Sequence, residues 1–283
     1  MRPGEALGRA AAEWAVSRRV RAAGIDVRYR EAGSGPTVVL VHGLGCSADY
    51  WWRNGAPLAA AGLRVLAPDL PGFGRTEGPW RGLNVDEQAR ALDAWAGAMG
   101  LGPAVYVGHS LSCQAVVDLA ADYPGRAAAL VLAAPTGDRR KKRRLREAVG
   151  FLRDIPREPL SLVPWIADAY LRAGLVRWFM TWWAGKHHDL FGTARRVRVP
   201  SLVLVGADDP VVSERFASTI AAVLPGSRFG VIENAAHALI FDEASAFNAA
   251  VLDFVREVML SRVPPGATTH ADDAITHADG AAE

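Results

Sequence analysis

A serine set between small residues is the first feature of this chain that could do chemistry: Val105-Tyr106-Val107-Gly108-His109-Ser110-Leu111-Ser112 runs as an apolar strand into Ser110. A turn sharp enough to lift a hydroxyl out of the end of a sheet brings together the positions two before and two after it, so only small side chains fit there. Gly108 and Ser112 meet that demand, with Ser112 standing where the usual G-x-S-x-G pattern has glycine. A serine hydroxyl is a weak nucleophile at neutral pH and needs a base within hydrogen-bond reach, a task that suits the pKa of an imidazole. The chain holds seven histidines to choose from.

The elements that must position these groups are short apolar runs. Thr37 to Val41 reads as a buried strand and ends in His42-Gly43-Leu44-Gly45; Leu202 to Gly206 is another, ending in Ala207-Asp208-Asp209-Pro210. Val231-Ile232-Glu233-Asn234-Ala235-Ala236-His237 follows. Further strands are expected at residues 20–23, 25–31, 63–67, 104–107, 130–133 and 228–232, with helices at 85–99, 110–122, 213–224 and 244–260. Alternating strands and helices predict an α/β fold with a mostly parallel central sheet covered on both faces. The order Ser, Asp, His at successive strand ends is similar to that of the α/β-hydrolase fold family, which the sequence resembles from about Arg18 to Leu260. The stretch Asp69-Leu70-Pro71-Gly72-Phe73-Gly74-Arg75-Thr76 is similar to a loop of that family and is expected to be a structural turn.

The resemblance implies a serine-nucleophile, esterase or lipase-like member with Ser110 as nucleophile and His237, after the last strand, as base. Two aspartates end the preceding strand, and the family spacing G-x-x-D selects Asp209 over Asp208; Asp138 is a further candidate, because some members carry the acid after the strand that here ends at Ala134. Backbone N–H groups can stabilise an oxyanion without reorganising. Leu111 N–H follows the serine at the start of a helix, and the resemblance supplies Leu44 N–H as the second donor. His109 is expected to point away from the serine. Dehalogenases and epoxide hydrolases of this fold place aspartate at the elbow, where this chain has Ser110. Carbon–carbon bond hydrolysis, perhydrolysis and a ligand-receptor role use the same scaffold and stay open beside ester hydrolysis.

Between residues 136 and 199 the strand signal disappears and helical spacings take over, where the resemblance implies a cap inserted into a core of residues 18–135 and 200–261. The cap is rich in aromatic residues, and Trp165, Trp178, Trp182 and Trp183 are expected to line a pocket for a small hydrophobic ester. The dense basic run Arg139 to Arg146 is a solvated face or a weak membrane-surface contact. With a formal net charge of only +2 and no recognition fold, nucleic acid is not an expected partner. No metal or organic cofactor is implied, and oligomeric state is not legible. Cys46 and Cys113 are too few for a disulfide scaffold and are expected to be reduced thiols. Charges interrupt the Ala-rich N-terminus, so it does not read as a signal peptide, and no apolar run is long enough to span a bilayer; a cytosolic enzyme is expected. The polar tail, residues 262–283, is expected to be disordered.

Overall fold

The computed structural model describes residues 3–138 and 163–261, with the backbone alone at residues 3 and 163–166. The basic run Arg139 to Arg146, the tail and the side chain of Trp165 lie outside the described residues. Eight strands form one sheet: β1 (Arg18–Ala22), β2 (Ile25–Ala32), β3 (Thr37–Val41), β4 (Arg64–Pro68), β5 (Ala104–His109), β6 (Ala127–Ala133), β7 (Ser201–Gly206) and β8 (Arg228–Ile232). Their order across the sheet is β1-β2-β4-β3-β5-β6-β7-β8. The β1–β2 and β2–β4 pairs are antiparallel and the remaining pairs parallel. Every residue of β5, β6 and β7 is buried, as the unbroken apolar runs require of strands covered on both faces.

The helices among the described residues are α1 (Pro3–Ala15), α2 (Gly55–Ala60), α3 (Val85–Ala98), α4 (Ser112–Asp122), α5 (Val163–Ala173), α6 (Leu175–His187), α7 (Leu190–Ala194), α8 (Glu214–Val223), α9 (Leu239–Asp242) and α10 (Ala244–Leu260). Asn84 caps α3 through a reciprocal box with Glu87, and Ser213 caps α8 by accepting from Phe216 N–H. Between β6 and β7 the described chain is helical, as expected: α5, α6 and α7 replace strands there. The N-terminal helix was not foreseen. Ala10 and Trp14 of α1 are buried, and the Trp14 ring lies so close over Gly55 that a Cβ there would stand 2.2 Å from it, so the packed core begins before Arg18.

The loop after β4 is a structural turn, as expected. Asp69 Oδ1 accepts from Ala48 N–H at 2.7 Å and Oδ2 from Arg75 N–H at 2.8 Å, while the fully buried Arg28 guanidinium pairs with Asp69 and Asp49. A buried arginine is tolerated only when its charge and donors are met this way. Cys46 and Cys113 are both buried.

Candidate active site

Strand β5 ends at His109, and the chain reverses through Ser110, which holds a left-handed φ of +58° and donates its N–H to Ala133 O at 2.8 Å. Such a φ is uncommon for a residue with a Cβ and is sustained only where neighbours enforce it. Both flanks do so. A Cβ on Gly108 would stand 2.9 Å from the backbone of Cys113. Ser112 does more than fit: its Oγ accepts from His109 N–H at 2.9 Å and donates to Val41 O at 2.8 Å, stitching the turn to the end of β3. Glycine cannot make that bond, which gives the departure from G-x-S-x-G a physical use.

His237, in the loop after β8, places Nε2 3.0 Å from Ser110 Oγ and Nδ1 3.0 Å from Asp209 Oδ2. With Nδ1–H donating to the carboxylate, the Nε2 lone pair faces the serine hydroxyl. Asp209 is held by two further donors, Val211 N–H at 2.7 Å and Val212 N–H at 2.8 Å to Oδ1, and its side chain is fully buried. Asp208 is exposed; Asp138 is buried after β6. Ser110, Asp209 and His237 thus come together although 127 residues of sequence separate the first and last.

His109 departs from expectation. Instead of pointing away, its buried ring lies beneath His237, with centroids 5.2 Å apart, and Nε2 meets His237 O at 3.0 Å. Burial first, and then the neighbouring His237, hold its pKa down at about 3, so the ring is neutral and donates Nε2–H to that carbonyl. His42 is also buried, with its pKa lowered chiefly by burial. Its Nε2 accepts from Leu70 N–H at 3.0 Å and its Nδ1 stands 2.8 Å from Gly43 O, fixing the loop after β3.

That loop lies against the serine. A Cβ on Gly43 would stand 3.4 Å from Ser110 Cβ, so Gly43 lets the backbone approach the elbow. Among the described residues no backbone carbonyl accepts from Leu44 N–H or Leu111 N–H. Leu44 and Leu111 line a small cleft at Ser110, together with Gln114, Thr136, Trp182, Gly185 and Lys186.

Of the four cap tryptophans expected in the pocket, Trp182 lines this cleft. Trp178, one helical turn away, stacks on Trp182 at 6.4 Å and covers Gly45, whose hypothetical Cβ would lie 2.9 Å from its ring. Trp183 does not line the cleft: it is 49% exposed on the outer face of α6, against Phe179 and His187. Consecutive helical residues point about 100° apart, which turns Trp183 toward the outer face while Trp178 and Trp182, four apart, share one face. Lys186, again four residues on from Trp182, was missed because a lysine at a helix end reads as a solvated charge; it is buried, with Nζ 5.9 Å from the Trp182 ring centroid.

A family model described as the alpha/beta hydrolase fold matches residues 36–198, more than half of the sequence, and the chain belongs to that family. Among curated proteins it is similar to the 2-hydroxy-6-oxo-6-phenylhexa-2,4-dienoate hydrolase of Burkholderia cepacia, with 26% identity covering 81% of this chain and 91% of that one. It is also similar to the 2-hydroxy-6-oxo-6-(2'-aminophenyl)hexa-2,4-dienoic acid hydrolase of Metapseudomonas resinovorans, with 28% identity covering 85% and 91% respectively. Among solved structures, the enol-lactonase from Burkholderia xenovorans LB400 aligns with a TM-score of 0.72 and 24% identity over 84% of this chain and 100% of that one, a likeness of fold. No described helix is long and apolar enough to cross a membrane.

Proposed function

We propose that this protein is a serine hydrolase that cleaves a small hydrophobic carboxylic ester through an acyl-enzyme. The observation that carries the reading is the hydrogen-bonded relay Ser110–His237–Asp209, with both contacts at 3.0 Å. Ser110 Oγ attacks the ester carbonyl while His237 Nε2 takes its proton. Asp209 stabilises the imidazolium and fixes its tautomer. Leu44 N–H and Leu111 N–H receive the oxyanion, which gains most from donors already in place. His237 then gives its proton to the leaving alkoxide, and a water activated by the same imidazole releases the acid and regenerates Ser110. The helices inserted between β6 and β7 act as a cap, with Trp182 and the two leucines forming the apolar wall of the acyl site.

A second reading, carbon–carbon bond hydrolysis, is favoured by the curated relatives, whose named substrates are 6-oxo dienoates. There the attacked carbonyl is a ketone and the leaving group a carbon rather than an alkoxide.

Purified protein assayed on p-nitrophenyl esters of graded acyl length and on a 2-hydroxy-6-oxo-dienoate separates the two, with a fluorophosphonate probe reporting the nucleophile in either case. Ester turnover with the probe on Ser110 is the expected result. Turnover of the dienoate alone moves the protein to the second reading; labelling elsewhere, or full activity in Ser110→Ala, overturns both.

A further inference from the structure

A second group of chemistry-bearing side chains lies where the inserted helices meet the core. Asp118, on α4 two turns beyond the serine, is 1% exposed. His188, directly after α6, brings Nε2 to 2.9 Å from Asp118 Oδ2. Asp86, in the first turn of α3, completes the group: one donor atom from each of the three residues lies within 4.8 Å of the others. The remaining oxygen of the buried carboxylate, Asp118 Oδ1, is out of contact with water and has no hydrogen-bond partner. A carboxylate oxygen carries lone pairs that burial leaves uncompensated unless a proton or a cation meets them.

The neighbours sharpen the conflict. A carboxylate oxygen of Asp86 lies within 4.8 Å of one on Asp118, and two ionised carboxylates that near one another repel. A neutral imidazole donates one proton, to one oxygen.

We propose that Asp86, Asp118 and His188 form a binding site for a divalent transition cation, with Zn²⁺ as the occupant, that ties the inserted helices to the core. One imidazole nitrogen and two carboxylate oxygens are a donor set that zinc accepts, and three protein ligands leave a fourth position for water. Bonds of about 2.0–2.1 Å to a tetrahedral ion set ligand-to-ligand edges of about 3.3 Å. The Nε2–Oδ2 separation of 2.9 Å is already close to that edge, and Asp86 is exposed, with its ligating oxygen within 4.8 Å of the other two atoms. On binding, Nε2 gives up the proton it donates to Asp118 Oδ2, the neutral ring carries its proton on Nδ1 instead, and the Nε2 lone pair is free for the ion.

The site touches no reacting atom, yet it bridges the elements that build the cleft. Asp118 belongs to the helix that follows Ser110, and His188 ends the helix that contributes Trp182, Gly185 and Lys186 to the lining. A cation there anchors the C-terminal end of α6 against α3 and α4.

The test is metal binding itself, independent of any substrate. The full chain, stripped with EDTA and desalted, is titrated with ZnCl₂ by calorimetry and melted with and without the ion, with MgCl₂ as the control. One saturable Zn²⁺ per chain is expected, with a raised Tm and little response to Mg²⁺. Asp86→Asn, a surface change in a capped helix, and His188→Gln are each expected to weaken zinc binding by about tenfold or more. Absence of saturable zinc binding overturns the proposal. So does zinc binding that both variants retain at full strength, which puts the ion elsewhere on the chain.

Discussion

Asp209 meets three donors at once, and that crowding makes its replacement informative. In Asp209→Asn the Val211 and Val212 N–H groups continue to hold Oδ1, so the amide presents its NH₂ to His237 and favours the wrong tautomer. A fall in kcat of about a thousandfold or more is expected, whereas Asp208→Asn, at an exposed position, changes it little. Steady-state kinetics of the two variants check this, and the reverse ranking moves the acid. His109 yields a different kind of prediction. Its folded pKa, about 3, lies below the ordinary value of 6.5, so between those values the unfolded chain takes up a proton that the native chain refuses. Its contribution to stability is therefore present above pH 6.5 and is lost progressively as pH falls toward 3. Urea unfolding at pH 7 and pH 5 is expected to show a lower midpoint at pH 5, with His109→Gln narrowing the difference.

At the scale of elements, Ser112 shows what one hydroxyl does for a turn. Ser112→Ala removes the bond to Val41 O and leaves a buried carbonyl without that donor, an expected loss of about 1–3 kcal/mol in denaturant unfolding with the elbow otherwise intact. The strand ends, the elbow, both leucines and the Asp-before-His order were legible because each rests on a local pattern: an apolar run, a small residue where the backbone closes, a family spacing. Trp183 was misjudged because composition says how aromatic a helix is and not which way each ring points. The role of His109 was hidden because the reach of a side chain beneath a neighbouring loop is a property of packing, as is the burial of Trp14 against α2. Helix α6 turns that lesson into a measurement. If Trp182 walls the acyl site, kcat/KM rises by up to about fourfold per added methylene, the equivalent of about 0.8 kcal/mol, until the cleft is full. Trp182→Ala is expected to flatten that rise, whereas Trp183→Ala leaves it unchanged.

Across the whole molecule, the three relay residues sit at the ends of β5, β7 and the loop after β8, and these strands differ sharply in how they are held. Strands β5 and β7 are buried throughout, whereas β8 is an edge strand whose first two residues are exposed and which pairs with β7 alone. Parallel pairing joins residues distant in sequence and forms slowly, and an edge strand with little burial closes and opens most readily. His237 can reach Ser110 only once β8 has docked. Refolding from urea should therefore show tryptophan fluorescence recovering ahead of catalysis, with activity returning in the slowest phase. In the native state, amides of β8 should exchange with solvent sooner than those of β5. On these expectations the competence to turn over substrate is a late and locally reversible property of this chain, lost under mild denaturant with the edge that delivers the base, before the buried strands β5 to β7 come apart.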